Sequence, residues 1–202
     1  MFPLGVLKKK QLKILKLTFT GNIVNEASTA SNTQILQDGT VSIVGNKLNF
    51  NSSSDCSVKI TQLVGNDWFN LQRDFDLTFD LVVVTNSPAG GIFYIMDFSQ
   101  DSFFQLQYEP TGNGVLQLIH GGQPNTSFAT SALFGAIPKG TPLAIKIEYR
   151  RTSAKLYINS VLAIDATGFL QRTNIIRDLW LGGAWSGNTI AGSMDNVEMT
   201  LL

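Results

Sequence analysis

The chain has 202 residues, of which 44% are apolar and only 15% charged, with a net formal charge of zero. That balance excludes a disordered chain, which needs low hydrophobicity and high charge, and a chain of long solvated helices, which needs Lys and Glu on its wet faces. The 18 glycines and 13 phenylalanines suit many short strands joined by tight turns. The length fits one domain with a substantial core, and no apolar run reaches the roughly 18 residues that a membrane-spanning helix needs. The single cysteine, Cys56, excludes an internal disulfide framework and fits synthesis in a reducing compartment.

Charge is unevenly distributed. Residues 1–16 carry Lys8, Lys9, Lys10, Lys13 and Lys16 and no acid, which leaves ten basic against 15 acidic residues from position 17 onward, a net of −5. An acidic body argues against nucleic acid as a partner, because nucleic-acid binders present a basic face. Residues 1–7 are apolar and the lysines follow, the reverse of a secretory signal. Work outside a cell would then require release by lysis or by a dedicated export machine.

Residues 1–16 read as an N-terminal arm, since Pro3 and Gly5 interrupt regular structure at its start. Leu12, Ile14 and Leu15 interleave with Lys13 and Lys16, which fits a short edge strand or a turn of amphipathic helix. The arm is either a loose or strand-paired terminus, or an anchor that docks Phe2, Leu4, Leu7, Leu12 and Ile14 on another subunit, homo- or hetero-oligomeric, with Lys8, Lys9 and Lys10 facing acidic surface.

From Leu17 the period is two. The clearest strand is Asp74-Phe-Asp-Leu-Thr-Phe-Asp-Leu-Val-Val-Val84, with Asp74, Asp76, Thr78 and Asp80 on one side and Phe75, Leu77, Phe79 and Leu81 on the other. Further strands are expected over residues 41–44, 47–50, 57–60, 92–98, 103–108, 115–120, 143–149, 154–158, 178–181 and 193–201, with 143–149 and 154–158 forming a hairpin. Clusters of Gly, Asn, Ser and Pro separate them over residues 22–32, 51–55, 85–91, 111–114, 121–125 and 185–188, and helical turns are expected only near 132–135 and 169–176. About a dozen antiparallel strands without a long helix mean a two-sheet sandwich or a barrel. No repeat and no linker divides the body, so the division is an arm over 1–16 and one domain over 17–202.

Several segments, in order, resemble a concanavalin A-like jelly roll of the laminin G-like and pentraxin type. They are Leu17-Thr-Phe-Thr-Gly-Asn22, Val44-Gly-Asn-Lys-Leu-Asn-Phe-Asn51 followed by Asp55-Cys-Ser-Val-Lys-Ile60, and Asp74-Phe-Asp-Leu-Thr-Phe79. The family's hairpin is matched by Leu143-Ala-Ile-Lys-Ile-Glu-Tyr149 and Lys155-Leu-Tyr-Ile-Asn-Ser160. Its closing strands are matched by Leu179-Trp-Leu-Gly-Gly183 and Ile190-Ala-Gly-Ser-Met-Asp-Asn-Val-Glu-Met199. The resemblance implies an all-β, two-sheet antiparallel jelly-roll sandwich over residues 17–202. Asn159-Ser160 stands where the family usually has Asp-Gly, and because glycine suits a type I′ turn, a turn of different shape is expected there.

Catalytic chemistry is not expected. Glycosidases of this fold carry a strand motif E-x-D-x-x-E, and none of the four glutamates, Glu26, Glu109, Glu148 and Glu198, begins one. Asp74, Asp76 and Asp80 lie two or four residues apart, with about 6.5 Å between alternate side chains, but read as a solvated face or, since clustered carboxylates suit calcium, as a cation site. His120 is the only histidine, so no histidine metal cluster can form on it, and it reads as a strand-end residue before Gly121-Gly122.

The resemblance implies two sites. Calcium-binding relatives use an acid matching Asp195, near a first strand that here offers Gly21 and Asn22 as oxygen donors; otherwise Asp195 accepts a hydrogen bond from a neighbouring turn, and no cofactor is needed. A glycan site needs an aromatic platform among polar groups, and Trp68, Trp185 and Asn188 lie in loops with that company. The side taken by Trp180 is open. Two functions follow: a structural protein of a virion such as a bacteriophage tail, fibre or capsid decoration, assembled in a host cytoplasm through its arm, or a lectin-like module for a cell-surface glycan. The expected partners include neither nucleic acid nor a membrane.

Overall fold

The computed structural model describes residues 11–28, 30–38, 41–52, 56–63, 69, 71–96, 103–110, 114–121, 127–130, 137–169, 178–183 and 189–202. The strands are β1 (Leu12–Phe19), β2 (Ile23–Asn25), β3 (Thr33–Asp38), β4 (Ser42–Val44), β5 (Lys47–Asn51), β6 (Ser57–Gln62), β7 (Phe75–Val83) and β8 (Gly90–Met96). They continue as β9 (Phe103–Glu109), β10 (Val115–Gly121), β11 (Ser127–Thr130), β12 (Leu143–Tyr149), β13 (Ser153–Ile158), β14 (Val161–Thr167), β15 (Asp178–Gly182) and β16 (Ala191–Leu201). One 3₁₀ turn spans Ala30–Asn32.

Two antiparallel sheets form a sandwich. The larger runs β14-β13-β12-β7-β16-β1-β2, with β5 also pairing β16 and β4 pairing β5; the smaller runs β11-β10-β9-β8-β15-β6-β3. Strand β7 shows why. Phe75, Leu77, Phe79, Leu81 and Val83 are all buried while Asp76, Thr78, Asp80 and Val82 between them are half-buried, so each alternate side chain enters the core. Facing them from the smaller sheet are Phe93, Ile95, Phe104, Leu106, Leu116 and Leu118. Aromatic rings close the seam: Phe75 stacks on Tyr149 with centroids 4.8 Å apart, and Phe104 of the opposite sheet meets Phe75 edge-on at 6.2 Å. Gly192 on β16 lets the strands approach closely, since a Cβ there would collide with the Val82 carbonyl oxygen.

At its C-terminal end the expected arm over residues 1–16 is strand-paired, and it belongs to the domain's own sheet. Residues 12–16 are the first part of β1, which pairs with β16 through Leu12↔Leu201, Lys13↔Thr200, Leu15↔Met199 and Lys16↔Glu198. The register slips between Lys13 and Leu15, and this bulge turns both Ile14 and Leu15 into the core, each with no exposed surface. Ile14 therefore docks on its own domain, not on another subunit, while Leu12 stays exposed at the sheet surface. Phe2, Leu4, Leu7, Lys8, Lys9 and Lys10 lie outside the described residues, as do the helical turn expected at 132–135 and all of the one at 169–176 except Phe169.

The turn at Asn159-Ser160 is also corrected. It joins the paired residues Ile158 and Val161, and both turn residues have positive φ, 50° and 67°, the two-residue type I′ geometry that Asp-Gly would adopt. Asn tolerates this region; Ser does so less readily. Replacing Ser160 by Gly is expected to raise stability by about 1 kcal/mol, a melting midpoint higher by about 2–4 °C in differential scanning calorimetry. An unchanged or lower midpoint would mean that the hydroxyl offsets the backbone strain.

Candidate functional site

The outward side chains of the larger sheet form a groove of about 460 Å³ lined by Thr78, Asp80, Lys146, Glu148, Tyr157, Ser160 and Asn196, with Phe79, Ala144 and Ile145 along its floor. Its construction follows from strand parity. Inward Leu77, Phe79 and Leu81 force Asp76, Thr78 and Asp80 outward on β7, and inward Ile145 and Ile147 force Lys146 and Glu148 outward on β12. The register then sets Lys146 opposite Thr78, Glu148 opposite Asp76, and Ala144 opposite Asp80. On β13, buried Leu156 and Ile158 leave Tyr157 outward, opposite Lys146.

Charge pairs order this surface. Lys146 Nζ donates to Glu148 Oε1 at 2.6 Å and is 3.9 Å from Asp76 Oδ2. Arg150 Nη2 donates to Asp76 Oδ1 at 2.7 Å. Hydrogen bonding to Glu148 raises the Lys146 pKa above its ordinary 10.5, and the same bond to Lys146 holds Glu148 below its ordinary 4.5. Both groups are therefore charged at neutral pH, and an ionised Glu148 is suited to accepting hydrogen bonds and not to donating a proton. The Tyr157 hydroxyl donates to Glu148 Oε2 at 3.4 Å, and Lys146 Nζ lies 5.7 Å from the Tyr157 ring centroid.

The opposite wall comes from a bulge in β16. The pairing of β16 with β7 slips between Asp195 and Glu198, and Asn196 takes a positive φ of 52°. Its Nδ2 donates to Asp80 Oδ2 at 2.6 Å and its backbone N–H to Asp195 Oδ1 at 2.8 Å. The Asp195 carboxylate thus accepts from the backbone of its own bulge. Gly21 and Asn22 are exposed in the β1–β2 turn. Among the described residues no group of three or more His, Cys, Asp and Glu side chains is placed to hold a metal ion.

The other sequence candidates divide as follows. Trp68, Trp185 and Asn188 lie outside the described residues. Asp74 pairs with Arg151 at 3.1 Å. His120 is a core residue of β10, stacked on Phe169 with centroids 4.5 Å apart and with Nε2 3.1 Å from the Tyr149 hydroxyl. Trp180 faces outward on the smaller sheet, opposite Tyr94, with Lys59 Nζ 5.2 Å from its ring centroid. Sequence reasoning missed Tyr157, Ser160 and Asn196. For Tyr157 the signal was present: an aromatic residue at the outward parity of a strand whose inward positions are Ala154, Leu156 and Ile158.

No family model matches the chain, and no curated protein matches it in sequence. Solved structures do resemble it. The binding domain of botulinum neurotoxin DC in complex with SialylT superposes with a TM-score of 0.70 and 17% identity, over 93% of this chain and 47% of that one. The serotype G binding domain gives a TM-score of 0.71 and 13% identity, over 93% and 47%. Domain 4 of AbnA, a GH43 extracellular arabinanase from Geobacillus stearothermophilus, in complex with arabinotriose, gives 0.65 and 17% identity, over 96% and 94%. The chain spans about half the length of the neurotoxin binding domains and nearly all of the arabinanase domain. At 13–17% identity, what these likenesses show of this chain is its fold, a two-sheet antiparallel β-sandwich.

Proposed function

We propose that the chain is a non-catalytic carbohydrate-binding module and that the groove on the larger sheet receives the sugar. The observation that carries this reading is the lining itself: one outward tyrosine ring beside an ionised carboxylate, an ammonium, a hydroxyl and an amide, on Tyr157, Glu148, Lys146, Ser160 and Asn196. A sugar ring offers an apolar C–H face for stacking and a rim of hydroxyls that need donors and acceptors, and this lining supplies both. Strands, not loops, hold these side chains in register, which limits the ordering cost of binding. The similar structures agree in kind, since one is a complex with SialylT and another a complex with arabinotriose. The same structures lend no support to the virion-assembly reading, and the one arm residue assigned to assembly that is now fully buried, Ile14, is taken up by the domain's own core.

A glycan array followed by titration calorimetry tests the proposal. Tyr157→Ala is expected to weaken the best ligand by about 10–100-fold, equivalent to about 1.4–2.8 kcal/mol, through lost stacking and a lost hydroxyl contact. The variant should keep its melting midpoint within about 2 °C, because the side chain points away from the core. Unaltered affinity in a folded Tyr157→Ala protein would remove the groove from consideration.

A further inference from the structure

We infer that the groove selects uncharged oligosaccharides and rejects sugars that carry a carboxylate or sulfate; this rests on the glycan-binding reading above and adds the ligand class. The cation in the groove lining, Lys146, and three at outward positions of the same sheet, Arg150, Lys155 and Lys13, are already committed. Lys146 is held by Glu148 at 2.6 Å with Asp76 at 3.9 Å. Arg150 is turned to Asp76 at 2.7 Å and to the carbonyls of Phe75 and Tyr149 at 2.9 and 2.8 Å. Lys155 pairs with Asp165 at 3.4 Å and Lys13 with Glu198 at 2.6 Å. A sugar acid would have to break one of these pairs to gain a counter-ion.

At the acidic corner no carboxylate is held in an ion pair among the described residues, the lysine next to it in register being Lys47 on β5, beside the Leu48↔Met194 pair. Asp80 and Asp195 are cross-strand partners on β7 and β16, and among the described residues neither is in an ion pair. Asn196 serves both, through its side-chain amide on Asp80 and its backbone N–H on Asp195. An amide satisfies lone pairs but leaves both charges in place. The lining therefore carries Asp80 and Glu148 against Lys146, with Asp195 beside Asp80. A ligand carboxylate entering there meets like charge at short range and loses water without gaining a partner. Sugar hydroxyls are donors, and carboxylates accept from them in strong, charge-assisted hydrogen bonds.

The test uses matched probes: neutral oligosaccharides from the array and the same glycans carrying a terminal sialic acid or uronic acid, titrated calorimetrically at low and high salt. The neutral member of each pair is expected to bind about tenfold or more tightly, and the gap to narrow as salt screens the charges. Asp80→Asn should narrow it too, with Asp195→Asn as a second variant if the first is poorly folded. Acidic members binding as tightly as neutral ones, with Tyr157→Ala still weakening both, would overturn the selectivity and leave the groove reading intact. A neutral preference that neither Tyr157→Ala nor the two aspartate variants alter would place the ligand elsewhere and overturn both. No binding by any probe would overturn glycan recognition and the selectivity with it.

Discussion

Deletion of residues 1–16 is expected to abolish folding and not merely assembly. Strand β1 lies inside the larger sheet, between β16 and β2. The deletion removes Ile14 and Leu15, both fully buried, and leaves Glu198, Met199, Thr200 and Leu201 of β16 without their ladder partners on that side. Truncating one buried aliphatic side chain costs about 2–5 kcal/mol, and whole domains are stable by only about 5–15 kcal/mol. Two such losses, about 4–10 kcal/mol, together with the unpaired backbone groups are comparable to the whole stability of a domain. Far-ultraviolet circular dichroism and urea titration of the truncated chain should therefore show no cooperative transition. Ile14→Ala and Leu15→Ala in the full chain give graded versions, each expected to lower stability by about 2–5 kcal/mol. A truncated chain with an unaltered cooperative transition would show that β1 contributes little and that the arm reading of residues 12–16 was right after all.

Replacing Phe75 by Ala should give the largest loss among single core substitutions. The ring is fully buried, lies nearly parallel to Tyr149 at 16°, and meets Phe104 at 70°. It is therefore held by neighbours from both sheets. Phe→Ala at such a site costs about 3–5 kcal/mol through lost transfer energy and the cavity left behind. For a domain of this length each kcal/mol lowers the melting midpoint by about 2–4 °C, so a fall of about 6–20 °C is expected. The surroundings cannot easily collapse, because the Tyr149 hydroxyl is anchored at 3.1 Å from the carbonyls of Leu71 and Arg151. Phe75→Leu, which keeps most of the volume, should cost less than half as much. A midpoint shift under about 2 °C for Phe75→Ala would mean that the two sheets are held together elsewhere.

The groove predictions depend on the same scaffold read from its other side. Parity buries Phe75, Leu77 and Phe79 and in doing so presents Asp76, Thr78 and Asp80 to solvent. Core and site are therefore coupled through β7, and a core variant that loosens this strand should also weaken sugar binding. Tyr157→Ala and Asp80→Asn act only on the wet face and allow binding to be separated from folding.

The strands with strict alternation were legible in the sequence. In β5, β7, β9, β12 and β13, each apolar side chain that must enter the core alternates with one that must not, so period and burial coincide. Four strands escaped it: β2, β3, β11 and β14. They are the ends of the two sheet paths. An edge strand has a neighbour on one side and weak demands on its faces. Strand β14 begins with Val161 and Leu162 both exposed, and nothing in such a pattern separates it from a loop. The bulge in β1 had a related effect, since one extra residue places Ile14 and Leu15 in the core together and breaks the alternation, so that residues 12–16 fitted a short edge strand and a turn of helix equally.

The site was legible only in part for a related reason. Outward parity on β7 and β12 named Asp76, Asp80, Lys146 and Glu148 as solvent-facing, but a polar face by itself is not a groove. What made it one was the lateral order β13-β12-β7-β16, which brings residue 78 of β7 and residue 196 of β16 beside residues 146 and 157 of the β12–β13 hairpin. That order depends on which strand edges pair in three dimensions. Pairing is decided by long-range backbone hydrogen bonds and by burial of both sheet faces together, and neither leaves a local mark in the sequence.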